Sequence, residues 1–93
     1  MSKSLISRVK AGMGKSVQWT KAGWAGDGGN QGWRGWDTKV SQGSIRIATS
    51  DEGVEVYSFD ENMVLSWSAE FVETTPVNAV LVFLRTAIEE SNQ

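Results

Sequence analysis

The chain has 93 residues, 40% of them hydrophobic and 22% charged, and it contains neither cysteine nor histidine. That size fits one domain around one core. The missing residue types remove disulfides, thiolate metal sites, the commonest general base and the commonest transition-metal ligand, so an enzyme is not expected, and no cofactor or metal either.

From Leu5 to Met13, the apolar residues Leu5, Val9 and Met13 recur every fourth position among basic residues. This predicts a short helix, ended by Gly12 and Gly14. The first eight residues hold no continuous apolar run, so no secretory leader is expected. No segment approaches the roughly 20 apolar residues of a membrane span. The expected location is cytoplasmic, the host's cytoplasm if a phage encodes the chain, with no membrane partner. Gly14-Lys15-Ser16 ends like a phosphate-binding loop, but Val9 stands where that loop needs glycine, and a strand pattern follows instead of a helix.

Ser16–Thr20 reads as a first strand with Val17 and Trp19 inward. Residues 23–36 read as a loop, because six of them are glycine and glycine loses much chain entropy on ordering. A loop this long in a small domain is usually functional or disordered. It also carries Trp24, Trp33 and Trp36, interleaved with Lys21, Arg34, Lys39 and Arg46. Aromatic faces stack on unpaired bases while Lys and Arg neutralise phosphates, so these seven residues are the candidate site for single-stranded nucleic acid. Trp and Arg also anchor protein interfaces, so a protein partner is the alternative. Two of the four tryptophans Trp19, Trp24, Trp33 and Trp36 folding back as core cover is the plainer reading, with Trp19 assigned to the core. Charge is uneven in the same sense. Residues 1–46 hold eight Lys or Arg against Asp27 and Asp37, a net of +6; residues 47–93 hold Arg85 against nine acids, a net of −8. Such asymmetry suggests a side that faces a polyanion or two surfaces that attract each other; the plainer reading is that the fold mixes both halves on one surface and the field cancels.

Three strand patterns follow. Ser44–Thr49 alternates with Ile45 and Ile47 inward; Asp51-Glu52-Gly53 turns the chain into Val54–Phe59; Asp60-Glu61-Asn62 turns it into Met63–Val72. In the last strand Met63, Leu65, Trp67, Ala69 and Phe71 are expected to face the helix. Tyr57 and Phe59 fall on the opposite sheet face with Glu55, Arg46, Val64 and Val72. Aromatic residues there mean a stacking surface, a dimer interface, or cover by the basic N-terminal segment, and that cover would pair Glu55 and Glu70 with Lys or Arg. Thr75-Pro76 reads as helix cap and first turn. Val77, Val80, Leu81, Leu84, Ala87 and Ile88 form the stripe of a helix from Pro76 to about Glu90. Glu89 and Glu90 oppose the helix dipole at its C-terminus, which predicts fraying.

The predicted fold is α+β: an antiparallel meander of about four strands packed under one C-terminal helix (ββββα), with a short N-terminal helix. The stretch Trp67-Ser-Ala69-Glu-Phe71, then Thr75-Pro76, then the apolar helix to Ala87 resembles the signature of the actinobacterial SPDY-type domain of unknown function. That resemblance covers about 21 residues and implies an actinobacterial chromosome, phage or mobile element as the source; it implies no activity. The ββββα order is similar to units of the PUR-alpha and Whirly single-strand binders, which pair their units, and this implies a homodimer.

Overall fold

In the computed structural model, which describes residues 4–24, 33–50 and 52–92, the chain is α+β. Helix α1 (Leu5–Met13) and a 3-10 turn (Gly14–Ser16) precede five strands: β1 (Thr20–Trp24), β2 (Trp33–Val40), β3 (Gly43–Thr49), β4 (Gly53–Phe59) and β5 (Leu65–Val72). Helix α2 (Val77–Ser91) follows. The strands form one antiparallel meander in sequence order, with β1 and β5 as its edges.

Both helices lie on one face. Leu5, Val9, Val80 and Leu84 are fully buried against Ile45, Ile47, Val54 and Val56, the inward residues that period-two alternation selects on β3 and β4. The helices approach closely at Gly12, where a Cβ would stand 2.7 Å from Leu81 Cδ1. Polar ties fix both ends of α1. Glu73 accepts the Leu5 N–H at 2.6 Å and lies 3.9 Å from Arg8; Arg85 donates to the Gly12 carbonyl at 3.2 Å. The Arg8–Glu73 pair is one place where the basic and acidic halves meet. At the far end of α2, Asn92 accepts from the Ser41 N–H (2.7 Å) and Oγ (3.1 Å) in the β2–β3 turn.

The expected meander under a C-terminal helix is present, with five strands where about four were expected. Other expectations need correction. Val17 and Trp19 do pack on the core, but as the lead-in to β1, which starts at Thr20. The segment 23–36 is not wholly loop: Gly23 and Trp24 end β1, residues 33–36 begin β2, and the remainder, residues 25–32, lies outside the described residues. The basic N-terminal helix does not cover Tyr57 and Phe59; it sits beside α2 on the other face, because its own stripe of Leu5, Ile6, Val9 and Met13 needs the apolar inner layer. Pro76, not Thr75, occupies the cap position of α2, with no side-chain cap bond, and the helix continues through Ser91.

The β4–β5 turn holds the remaining difference. Asp60 Oδ1 accepts from the N–H groups of Asn62 (2.8 Å) and Val64 (2.9 Å), an Asx-type turn. Met63 takes φ 64° within it. The register then slips: Ser58 pairs with Trp67 but Phe59 with Leu65. A bulge sends following side chains to the other face. Met63 and Leu65 are thus 58% and 50% exposed instead of facing the helix, while Trp67, Ala69 and Phe71 keep the expected orientation.

Candidate functional site

Of the seven sequence candidates, four have described side chains, and they divide between two faces. Trp36 pairs with Ile47 and packs against the core, with Lys10 Nζ 3.7 Å from its ring centroid; Lys21 is opposite Trp36 in the register and exposed. Arg46 and Lys39 belong to the opposite face. Arg46 makes a bidentate pair with Asp37, Nε to Oδ1 at 2.6 Å and Nη2 to Oδ2 at 3.0 Å, and its guanidinium carbon lies 5.0 Å from the Phe59 ring centroid. The Asp37 hydrogen bond raises the Arg46 pKa, partial burial opposes it, and the charge of Asp37 adds to the rise. Trp24, Trp33 and Arg34 are described through the backbone, where Trp24 pairs with Trp33 and Gly23 with Arg34.

The outer sheet face carries Tyr57 and Phe59, stacked at 6.2 Å and 30°, beside the Arg46–Asp37 pair. Two residues further along the pairing the face becomes acidic. Glu55 is opposite Glu70, and a hydrogen bond to Glu52, then burial, then the charges of Glu52 and Glu55 raise the Glu70 pKa above the usual carboxylate value. Like charges crowded this way favour a retained proton.

The second feature was missed by a search for charged and catalytic side chains. Strand β5 is a sheet edge of eight residues whose one charged residue is Glu70. Leu65 and Val72 are half exposed, and Trp67 is 36% exposed. Beside it runs a groove of about 330 Å³ lined by Trp67, Ser68, Ala69, Phe83, Thr86, Ala87 and Glu90. Phe83 builds its wall, making edge-on contacts with Trp67 (5.5 Å) and Phe71 (5.3 Å); Ala69 and Ala87 leave space between them. The Glu73 N–H bonds the Glu52 carbonyl at 2.7 Å, so that pair is hydrogen-bonded. Ladder alternation then turns the backbone groups of Phe71, Ala69 and Trp67 toward β4 and those of Val72, Glu70 and Ser68 away from the sheet. The sequence signal for this was present: a long strand pattern with one charge and no proline.

No protein-family model matches the chain, and no curated protein or solved structure matches it significantly. No helix among the described residues is long and apolar enough to cross a membrane.

Proposed function

We propose that this protein is a binding module, not an enzyme, and that it engages a protein partner by strand addition at the β5 edge. The observation that carries the reading is the pairing of an uncharged stretch of edge backbone at Ser68 with an apolar groove directly beside it. An added strand would satisfy the outward backbone groups, while its alternate side chains would enter the groove next to Ala69; main-chain bonds supply affinity and pockets supply specificity in this mode. The test is capture from host extract with wild type and with Ser68→Pro as bait. Proline at Ser68 removes an N–H aimed away from β4, so the β4–β5 ladder keeps its own bonds. Loss of a captured partner in the variant is expected; identical capture would rule out the edge. The likeness of residues 67–87 to the SPDY-type domain adds an actinobacterial phage or mobile element as the proposed source, acting in the host cytoplasm.

Single-stranded nucleic acid is the second reading, favoured by the stacked Tyr57–Phe59 pair beside Arg46 on the face opposite the helices. Asp37, Glu55 and Glu70 on that face weigh against it. Tryptophan fluorescence titrated with a mixed single-stranded oligonucleotide at about 50 and about 200 mM salt decides: quenching that fades with salt supports phosphate contacts, and no change at either salt removes this reading.

A further inference from the structure

We infer that the strand added at β5 is the β5 of a second copy, paired antiparallel about Ser68, so that two sheets join into one of ten strands. The inference rests on the edge-docking reading above and names the partner.

The strand is complementary to itself in one register. A two-fold axis at Ser68 sets Ser68 opposite the second copy's Ser68, both with outward backbone groups, so the central pair can exchange two N–H···O bonds. On the helix side, Trp67 then meets the second copy's Ala69, and Ala69 the second copy's Trp67. The large side chain meets the small one twice, at the place where Ala69 and Ala87 leave the groove open. The two indoles become diagonal neighbours, within reach for aromatic side chains. On the outer side, Glu70 falls opposite Ser66. Moving the axis to Glu70 would oppose two carboxylates. Moving it to Ala69 would oppose Trp67 to Phe71, both already packed on Phe83, and leave alanine against alanine over the gap.

The occupant is also argued from charge and size. Within Leu65–Val72 the strand offers no cation to an acidic peptide and one carboxylate, Glu70, to a basic one, and a copy of the strand sets that carboxylate against a hydroxyl. Eight strand residues span about 27 Å, and α2 flanks the strand through Phe83, Thr86 and Glu90, with Thr86 exposed on the groove rim. An edge of that length, two layers deep, belongs to the size class of stable interfaces, which remove about 800 Å² per partner. Among the described residues, nothing of the chain itself lies across the outward backbone of Ser68.

The experiment is sedimentation or light scattering of the full chain at about 100 µM, where a micromolar Kd populates the dimer, with charge reversal on the axis. Wild type should be dimeric. Ser68→Lys and Ser68→Glu, both at an exposed position, should each weaken self-association about tenfold or more through like charges facing each other. Mixed in equal amounts they should restore a dimer, because only a self-opposed residue behaves this way. Thr86→Arg, at the groove rim, should also favour monomer. A wild-type dimer indifferent to all three changes would place the interface elsewhere and overturn the inference. A monomeric wild type overturns it too: if Ser68→Pro still loses a captured partner, edge docking stands with a different occupant; if capture is unchanged, both readings fall.

Discussion

The two edges of this sheet are built differently. Strand β1 has five residues, Thr20–Trp24, with Lys21 exposed and Gly23 within it. Strand β5 has eight, with one carboxylate and exposed apolar side chains at Leu65, Trp67 and Val72. A short strand with an exposed lysine is a common way to blunt an edge against unwanted pairing. The β5 edge lacks both devices, and a free edge of that kind is an aggregation hazard unless something pairs with it. The difference teaches where to look for a partner when no side-chain constellation points to chemistry.

The largest expected effect comes from detaching β5. At Gly53 the limit is space, since a Cβ would collide with the Phe71 carbonyl oxygen across the β4–β5 pairing. Gly53→Ala should lower stability by about 3 kcal/mol, read as a fall in the urea midpoint, with faster amide exchange concentrated in β5. Gly43→Ala at the β2–β3 turn should be comparably damaging, because φ there is 143° and a Cβ would strike the Phe59 carbonyl; its exchange signature should appear at β3–β4 instead. Next in size is Phe83→Ala, which removes the edge-on contacts to Trp67 and Phe71 and should cost about 2–3 kcal/mol. Its neighbour Val82, 62% exposed, should tolerate alanine within about 0.5 kcal/mol. Similar losses at the two positions would mean that the wall of the groove is not what holds β5. A smaller effect sharpens the contrast from the other side. Lys21→Val unblunts β1 and should leave the urea midpoint nearly unchanged while increasing concentration-dependent light scattering; unchanged scattering would show that lysine is not what protects that edge.

Much of this fold was legible in the residues. Leu5, Val9 and Met13 placed α1 correctly, Ile45, Ile47, Val54 and Val56 marked the inner face, the turn at 60–62 stands where expected, and β4 begins at Gly53. Strand β2 was hidden because its glycine and tryptophans read as loop, although pairing with β3 orders Gly35 through Val40; ladder bonds override weak strand propensity when a neighbour is already in place. The bulge was invisible too. Strict alternation from Met63 put Leu65 inward, and nothing in local composition announces that Ser66 is skipped between Leu65 and Trp67. Among the described candidates Trp36 and Arg46 do not share a face for a related reason: period-two alternation sends Trp36 to the helix side and Arg46 to the other, and sequence proximity carries no information about which face a residue takes until the register is known. Trp36 and Arg46 are also engaged within the fold, Trp36 under Lys10 and Arg46 in its pair with Asp37.

The smallest effect lies at the charged residue of the β5 edge. Glu70 is held above the ordinary carboxylate range by its hydrogen bond to Glu52, then by burial and by the charges of Glu52 and Glu55. A raised value in the folded state means that the fold binds that proton more tightly than the unfolded chain does. The stabilising contribution is therefore complete below the unfolded value and disappears as pH climbs through the raised one. Stability measured by urea unfolding should fall slightly as pH rises across that window, with other groups held common by comparison with Glu70→Gln. The amide keeps a hydrogen-bonding group and cannot ionise, so the variant should lose this part of the slope and be somewhat more stable than wild type at neutral pH. A variant with the wild-type slope would mean that Glu70 and Glu52 do not share a proton, and β5 would then carry its carboxylate as a simple solvated charge, closer in character to the protected β1 edge.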